Sequence, residues 1–254
     1  VEDLSNVTIM IPVRIDSTDR IDNINLTIDY ISNNYNTNIM VFESSSERKF
    51  FRDKDIKYTY IKDDNENFHR TSILNMMIEE ATTDVVMNYD ADILLYSKAY
   101  SAGYRAIDKG MCGVLYPYNG TFLALSRNYH YMVKECGYAV ERMPLDKVTS
   151  TVHTSSVGGA FMALKDTYKK YGGENEKFMA WGYEDNERMY RFTTLHGEIP
   201  RANTPLVHLE HWRGPNSSFE NPHIENSKKE LALVNSMGKQ ELLSYISGWK
   251  NSTR

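Results

Sequence analysis

Two aspartates one residue apart, Asp90 and Asp92, end the apolar run Val85-Val86-Met87-Asn88-Tyr89. A run of that composition predicts a buried strand. A carboxylate pair at its C-terminal edge puts two hard oxygen ligands where open α/β sheets bind their ligands. Carboxylates that close repel each other unless a cation lies between them, so the pattern points to a divalent metal; an exposed acidic turn is the other reading. A second acidic pair, Glu184 and Asp185, follows Trp181-Gly182-Tyr183 and opens a helix expected over 184–196. The helix dipole favours carboxylates in a first turn, so capping alone accounts for them. Capping does not account for the large flat ring placed beside them. The third group is His208 and His211, in Val207-His208-Leu209-Glu210-His211-Trp212 at the end of an expected strand. A lone histidine is usually structural, but one arriving near two aspartates completes a mixed oxygen–nitrogen site of the manganese type.

The elements that must position these groups follow from periodicity. Residues 8–13 predict a buried first strand, ended by Pro12 and the turn Arg14-Ile15-Asp16-Ser17. Ile21, Ile24, Ile28 and Ile31 recur at helical spacing up to Asn34. Strands are expected over 39–42 and 57–61, with a helix between them and the aspartates marked by Ile73, Leu74, Met77, Ile78 and Ala81. Strand, helix, strand, strand, helix, strand is the pattern of a parallel α/β sheet. Beyond Asp92 the spacing predicts a helix over 97–109, a strand over 113–118 and another over 160–164. Residues 119–157 lack strong periodicity, and the polar stretch 147–156 reads as a mobile loop, a lid or a surface excursion. Two helical patterns, 227–237 and 240–249, form a C-terminal clasp.

A chain of 254 residues can bury roughly 70–75% of its unfolded surface. With 41% hydrophobic and 25% charged residues it has the composition of a globular protein. Its net charge of −5 argues against nucleic acid or an anionic membrane as the main partner, although peripheral membrane contact is allowed. No apolar run approaches the roughly 20 residues that span a bilayer. Cys112 and Cys136 are too few for a disulfide framework. The expectation from these points is a cytoplasmic protein. The 18 tyrosines suit sugar or nucleotide recognition, and equally an amphipathic core.

Taken in order, several short motifs resemble the glycosyltransferases of the GT-A fold, and among them the branch with the β1,4-galactosyltransferases and the bacterial chondroitin-type polymerases. Pro12-Val13-Arg14 matches the first-strand nucleotide loop, and Phe68-His69-Arg70 through Leu74-Asn75 resembles the F-N-R-x-x-x-L-N helix start. Asp90-Ala91-Asp92 matches the D-x-D that holds metal and sugar-nucleotide diphosphate. Gly158-Gly159, Gly172-Gly173 and Trp181-Gly182-Tyr183-Glu184-Asp185 follow the G-G, G-G, W-G-x-E-D series. The animal enzymes' N-terminal anchor and stem have no counterpart, and residues 207–217 fit the bacterial members better, which favours a bacterial or viral source. Residues 119–157 match nothing in the family.

The resemblance implies an α/β, Rossmann-like fold with a mostly parallel central sheet flanked by helices and a C-terminal helical tail. It is expected to be one domain over 1–254, with a nucleotide-sugar half at 1–95 and an acceptor half with the tail at 96–254. The implied activity is metal-dependent, inverting transfer of galactose, N-acetylgalactosamine or a similar sugar from a UDP-sugar to a hydroxyl of a carbohydrate or glycoconjugate acceptor. A retaining enzyme, a hydrolase of sugar nucleotides and a non-catalytic nucleotide-sugar-binding module remain as alternatives. Asp185 matches the position of the general base, with Glu184 beside it. Asp92 is the expected direct ligand of Mn2+ or Mg2+. Asp90 is placed at the metal or the ribose, and His208, then His211, adds nitrogen. Trp181 is expected to stack on a sugar face. Pro12, Val13, Arg14, Asp16 and Glu43, with Asp63 and Arg70, are the candidates for the nucleotide pocket, where turn residues and surface ion pairs are the competing explanation for Arg14 and Asp16.

Overall fold

The computed structural model describes residues 1–52 and 56–249. The apolar run that ends at Val13 is buried on both faces, as a central parallel strand must be, and forms most of β1 (Glu2–Val13). β1 begins earlier than the apolar run because Glu2, Asp3 and Leu4 pair with residues 35–37, across a register shift before Thr8. Helix α1 (Thr18–Asn34) starts at Ser17, whose hydroxyl accepts from the Arg20 amide, and it buries Ile24, Ile28 and Ile31. β2 (Tyr35–Ser45), β3 (Ile56–Lys62), α2 (Arg70–Glu80) and β4 (Val85–Tyr89) complete the first half.

After Asp92 come β5 (Ile93–Leu95), α3 (Ser97–Asp108), β6 (Val114–Leu115) and β7 (Phe122–Leu125). The segment of weak periodicity contains two single-turn helices, α4 (Met132–Glu135) and α5 (Leu145–Val148), and leads into β8 (Thr149–His153). The expected loop at 147–156 is thus corrected. Half of its residues, Thr149–His153, form an exposed edge strand that pairs antiparallel with β7, and its polar composition reflects an edge with little to bury. β9 (Ala160–Leu164), α6 (Lys165–Lys170), α7 (Glu184–His196), β10 (Leu206–Leu209), α8 (Ile224–Asn235) and α9 (Lys239–Trp249) finish the chain. No helix among the described residues is long and apolar enough to cross a membrane.

The central sheet has the order β3-β2-β1-β4-β9-β6, and a second sheet the order β5-β10-β7-β8. β1 to β4 run parallel, and β9 runs against both β4 and β6. The chain leaves β1 toward β2 on one side and returns to β4 on the other, so the loops after β1 and β4 diverge and open a crevice. The second sheet closes the crevice from above: β10 pairs with β5 so that His208 lies opposite Ile93, next to Asp92. α1 braces that turn through Thr27 Oγ1 donating to the Ala91 carbonyl (3.0 Å) and the Tyr30 hydroxyl donating to the Leu95 carbonyl (2.7 Å). One apolar core runs from Leu4 to Leu209, and a smaller one joins Leu195 of α7 to Val234, Leu242 and Ile246 of the tail.

Candidate active site

The crevice encloses a cavity of about 380 Å³. The loop after β1 contributes Pro12, Val13, Arg14 and Asp16 to its wall; Asp90 and Asp92 come from the loop after β4; Trp181, Glu184 and Asp185 from the start of α7; and His208 and His211 from β10 and the segment after it. Residues as far apart in the chain as Pro12 and His211 thus share one cleft, as the ordered motifs require.

The two aspartates of the D-x-D do not act as a pair, which corrects that expectation. The chain turns at Ala91–Asp92, so the carboxylates face different walls. Asp90 accepts from Arg70 Nη2 of α2 at 2.6 Å. Asp92 instead joins His208 and His211 in a cluster whose ligand atoms all lie within 4.8 Å of one another. His211 Nε2 is 3.0 Å from Asp92 Oδ2, and His208 Nε2 is 3.7 Å from Oδ1. The former spacing is what two ligand atoms at about 2.1 Å from one ion subtend at a right angle.

The chemistry of this set fits a divalent cation. His211 Nδ1 lies 2.5 Å from the Trp212 carbonyl, which only accepts, so Nδ1 carries the hydrogen and Nε2 presents its lone pair to the cleft. Burial lowers His208 to about 4, against the pull of Asp92, which keeps its ring neutral and able to ligate. Burial would raise Asp92, but His208, the close contact with His211 and the Arg20 guanidinium together hold it well below the usual carboxylate range. Asp90 goes the other way: burial raises it, Arg70 opposes, and the carboxylates of Asp92 and Asp185 add to the rise.

Asp185 is held from one side. Arg188 Nη2 donates to its Oδ1 at 2.5 Å, and Arg70 Nη1 is 3.8 Å from the same oxygen. Arg188 is itself fixed by Glu174, which takes Nη1 on both oxygens at 2.9 and 3.1 Å; both side chains are 1% exposed. Tyr168 and Asn88 donate to the same glutamate. Asp185 Oδ2 accepts from no described residue and lies over Gly158, where a Cβ would come within 2.6 Å of it. Glycine at 158 therefore gives this carboxylate its position.

Ala180, Gly182 and Tyr183 all have positive φ (62°, 122° and 72°), which folds the Trp181 segment back and aims the first turn of α7 into the cleft. Two non-glycine residues in the left-handed region cost roughly 1–3 kcal/mol each, and such strain clusters at functional sites. Glu184 helps to hold the turn, accepting from the Gly182 amide at 2.9 Å. Burial, then the neighbouring Asp185 carboxylate, raise Glu184 to about 7, with Arg70 opposing.

Two of the predicted pocket residues stand outside the cavity wall. Glu43 is fully buried and accepts from the amides of Lys49 and Phe50 and from the Tyr58 hydroxyl, so it fastens a loop. Asp63 accepts from Arg14 Nη2 (2.8 Å) and from Ser44. Arg14 also donates to the carbonyls of Ser44 and Asn65, and its guanidinium lies 5.7 Å from the Phe68 ring, so each of its three nitrogens is engaged. The structure adds residues that sequence reasoning misses: Arg20, Arg188, Glu174, Phe219 and Phe122. Arg20 had a signal, its i,i+4 spacing from Asp16, to which it pairs at 3.4 Å. Phe219 had none; it meets Trp181 edge-on at 4.6 Å across the cleft mouth.

A switch-point crevice between a mostly parallel sheet and a smaller second sheet, closed by a helical tail, is an α/β architecture of the GT-A, Rossmann-like class. The catalytic domain of Drosophila β1,4-galactosyltransferase 7, solved with xylobiose, is similar to this chain at 16% identity, covering 94% of this chain and 84% of that one with a TM-score of 0.50. A mutant of the Drosophila enzyme, solved with manganese, UDP-Gal and xylobiose, is similar at 16% identity over 83% of this chain and 72% of that one, with a TM-score of 0.51. The family model described as the N-terminal domain of galactosyltransferase matches residues 145–213, which carry β8, β9, α7 and β10. A search of curated proteins finds no sequence match.

Gly158→Ala is expected to lower stability by about 1–3 kcal/mol in urea denaturation, because the new Cβ must displace Asp185. In an Asp185→Ala background the same change costs little; equal costs in both backgrounds would place the strain elsewhere. A second expectation concerns pH. With its pKa raised in the fold above the ordinary 4.5 to about 7, Glu184 holds a proton that the unfolded chain has lost. Relative to Glu184→Gln, the wild type therefore loses stability as pH rises between those values and loses no more above them. Parallel stability curves for the two proteins would show that Glu184 ionises normally.

Proposed function

We propose that the protein is a metal-dependent glycosyltransferase that moves a sugar from a UDP-sugar to an acceptor hydroxyl with inversion. The observation that carries this reading is the sharing of one cleft by the Asp92-His208-His211 set and by Asp185, whose Oδ2 accepts from no described residue. The manganese, UDP-Gal and xylobiose named with the similar Drosophila mutant support it.

Asp92, His208 and His211 would hold the ion, which when bound supplies positive charge against the charge developing on the leaving diphosphate. Arg188 and Arg70 fix Asp185 by Oδ1, so Oδ2 is the oxygen that accepts the proton of the attacking hydroxyl. An aspartate there, with a proton-accepting oxygen aimed into the cleft, favours inversion. Glu184 beside it is protonated for part of the time near neutral pH, so it can donate as well as accept hydrogen bonds to sugar hydroxyls. Trp181 and Phe219 present apolar ring surface to the C–H face of a pyranose. Arg14 locks Asp63 and the Asn65 carbonyl beside Phe68, framing a wall for a base and ribose without lending them its charge. Acceptors are therefore carbohydrates or glycoconjugates, and galactose or N-acetylgalactosamine is the donor sugar to try first.

Calorimetry or thermal shift against UDP-sugars, with manganese and again with EDTA, tests the reading: one UDP-sugar should stabilise the protein with metal and not without. Asp92→Ala should abolish that metal-dependent binding; retained affinity removes Asp92 from the ligand set. Asp185→Asn should leave donor binding intact and slow acceptor-dependent transfer by at least ~100-fold. Turnover that survives places the base elsewhere, and the anomeric configuration of the product decides between inversion and retention.

A further inference from the structure

Arg20 lies in the first turn of α1 and lines the crevice. Its Nη1 donates to Asp92 Oδ2 at 2.6 Å, and its side chain is 15% exposed. This is the same oxygen that lies 3.0 Å from His211 Nε2 and faces the position of the ion. A dication bound there would stand a few ångströms from a guanidinium, and like charges at that range in a half-buried cleft repel by several kcal/mol at an effective dielectric of about 20. The ligand set holds a single carboxylate, since Asp90 is committed to Arg70. Metal and Arg20 together thus leave the site strongly positive.

Arg20 also has a second anchor, Asp16, with Nε 3.4 Å from its Oδ1. That contact lets the guanidinium turn away from Asp92 without losing every partner. The other cations that line the cleft are poorly suited to meet a diphosphate there. Arg14 already donates through all three of its nitrogens, Arg70 is bound to Asp90 through Nη2 and lies beside Asp185, and Arg213 is exposed.

We propose that Arg20 is a latch that couples the metal to the donor. Without ligands it neutralises Asp92 and competes with the ion. When a nucleoside diphosphate arrives with the metal, Arg20 keeps Asp16, releases Asp92 and takes a diphosphate oxygen. Metal occupancy then depends on nucleotide beyond what a shared metal–phosphate contact gives. The proposal rests on the metal and UDP-sugar reading of the cleft.

The test is Mn2+ binding followed by electron paramagnetic resonance of the free ion, with and without UDP, in the wild type, Arg20→Met and Arg20→Lys. In the wild type UDP should tighten Mn2+ by more than roughly tenfold. In Arg20→Met, Mn2+ alone should bind roughly tenfold more tightly than in the wild type, UDP should bind more weakly at saturating Mn2+, and the coupling should fall at least about fivefold. Arg20→Lys, which keeps the charge, should keep weak binding of Mn2+ alone; melting curves of the ligand-free proteins check that each variant folds. Mn2+ affinity and coupling unchanged in Arg20→Met, with binding still lost in Asp92→Ala, would overturn the latch and leave the metal site standing. No saturable Mn2+ binding in the wild type or Arg20→Met, with or without UDP, would overturn the metal reading and the latch with it.

Discussion

Carboxylates crowd this crevice. Asp90, Asp92, Glu184 and Asp185 all line it, and unpaired charges so close and so buried would unfold a protein of ordinary stability. Most of what surrounds the cleft answers that constraint. Arg70 meets Asp90, Arg20 meets Asp92, Arg188 meets Asp185, and Glu184 rises toward neutrality. Arg20 and Arg70 come from α1 and α2 and reach carboxylates beyond β4, so these pairs also fix how those two helices sit about the sheet, whereas Arg188 and Asp185 share α7. Breaking one buried partner typically costs about 3–5 kcal/mol, because the other charge stays behind. Such pairs therefore specify the arrangement more than they stabilise it.

Beneath this lies a second, fully buried layer. Glu174 receives Arg188, Tyr168 and Asn88, and its amide donates to Asn75 Oδ1 of α2. Gly173 makes that clasp possible, since a Cβ there would stand 2.6 Å from the same Asn75 oxygen, at a φ of +65°. Two motifs a hundred residues apart, the Leu74-Asn75 helix segment and the Gly172-Gly173 turn, prove to be two halves of one contact. Asp185 inherits its position from it through Arg188.

The fold was legible in the sequence wherever burial imposed a period. β9 and α7 fall on the expected residues, and β1 to β4 and α1 to α3 differ chiefly at their ends. What was not legible had little to bury or few residues. β8 is an exposed edge, and β5 is three residues long, too short for any alternation to show; the strand expected over 113–118 shrinks to the two residues of β6. For the site, residue types pointed to Asp92, Asp185 and the histidines, and the structure brings them into one cleft. The partners of those residues were hidden, because a buried arginine reads in sequence like a surface one. The D-x-D misled for the same reason: spacing shows that two carboxylates are near, but only the turn between them shows which way each faces.

The short strand β5 carries more weight than its length suggests. His208 reaches Asp92 only because β10 pairs with β5 in one register, sealed by the Leu209 amide donating to the Asp92 carbonyl at 2.8 Å. A slip of one residue would turn His208 to the opposite face and remove it from the ligand set. Three residue pairs are too few to hold that register alone. The remaining constraint comes from α1, where Asn23 Nδ2 donates to the Leu209 carbonyl at 3.0 Å while Thr27 holds the Ala91 carbonyl. The helix that presents Arg20 to Asp92 is thus also the helix that fixes where Asp92 and His208 stand. Any movement of α1 on ligand binding would change the latch and the ligand geometry together, which ties the response to nucleotide and the response to metal to a single rigid element.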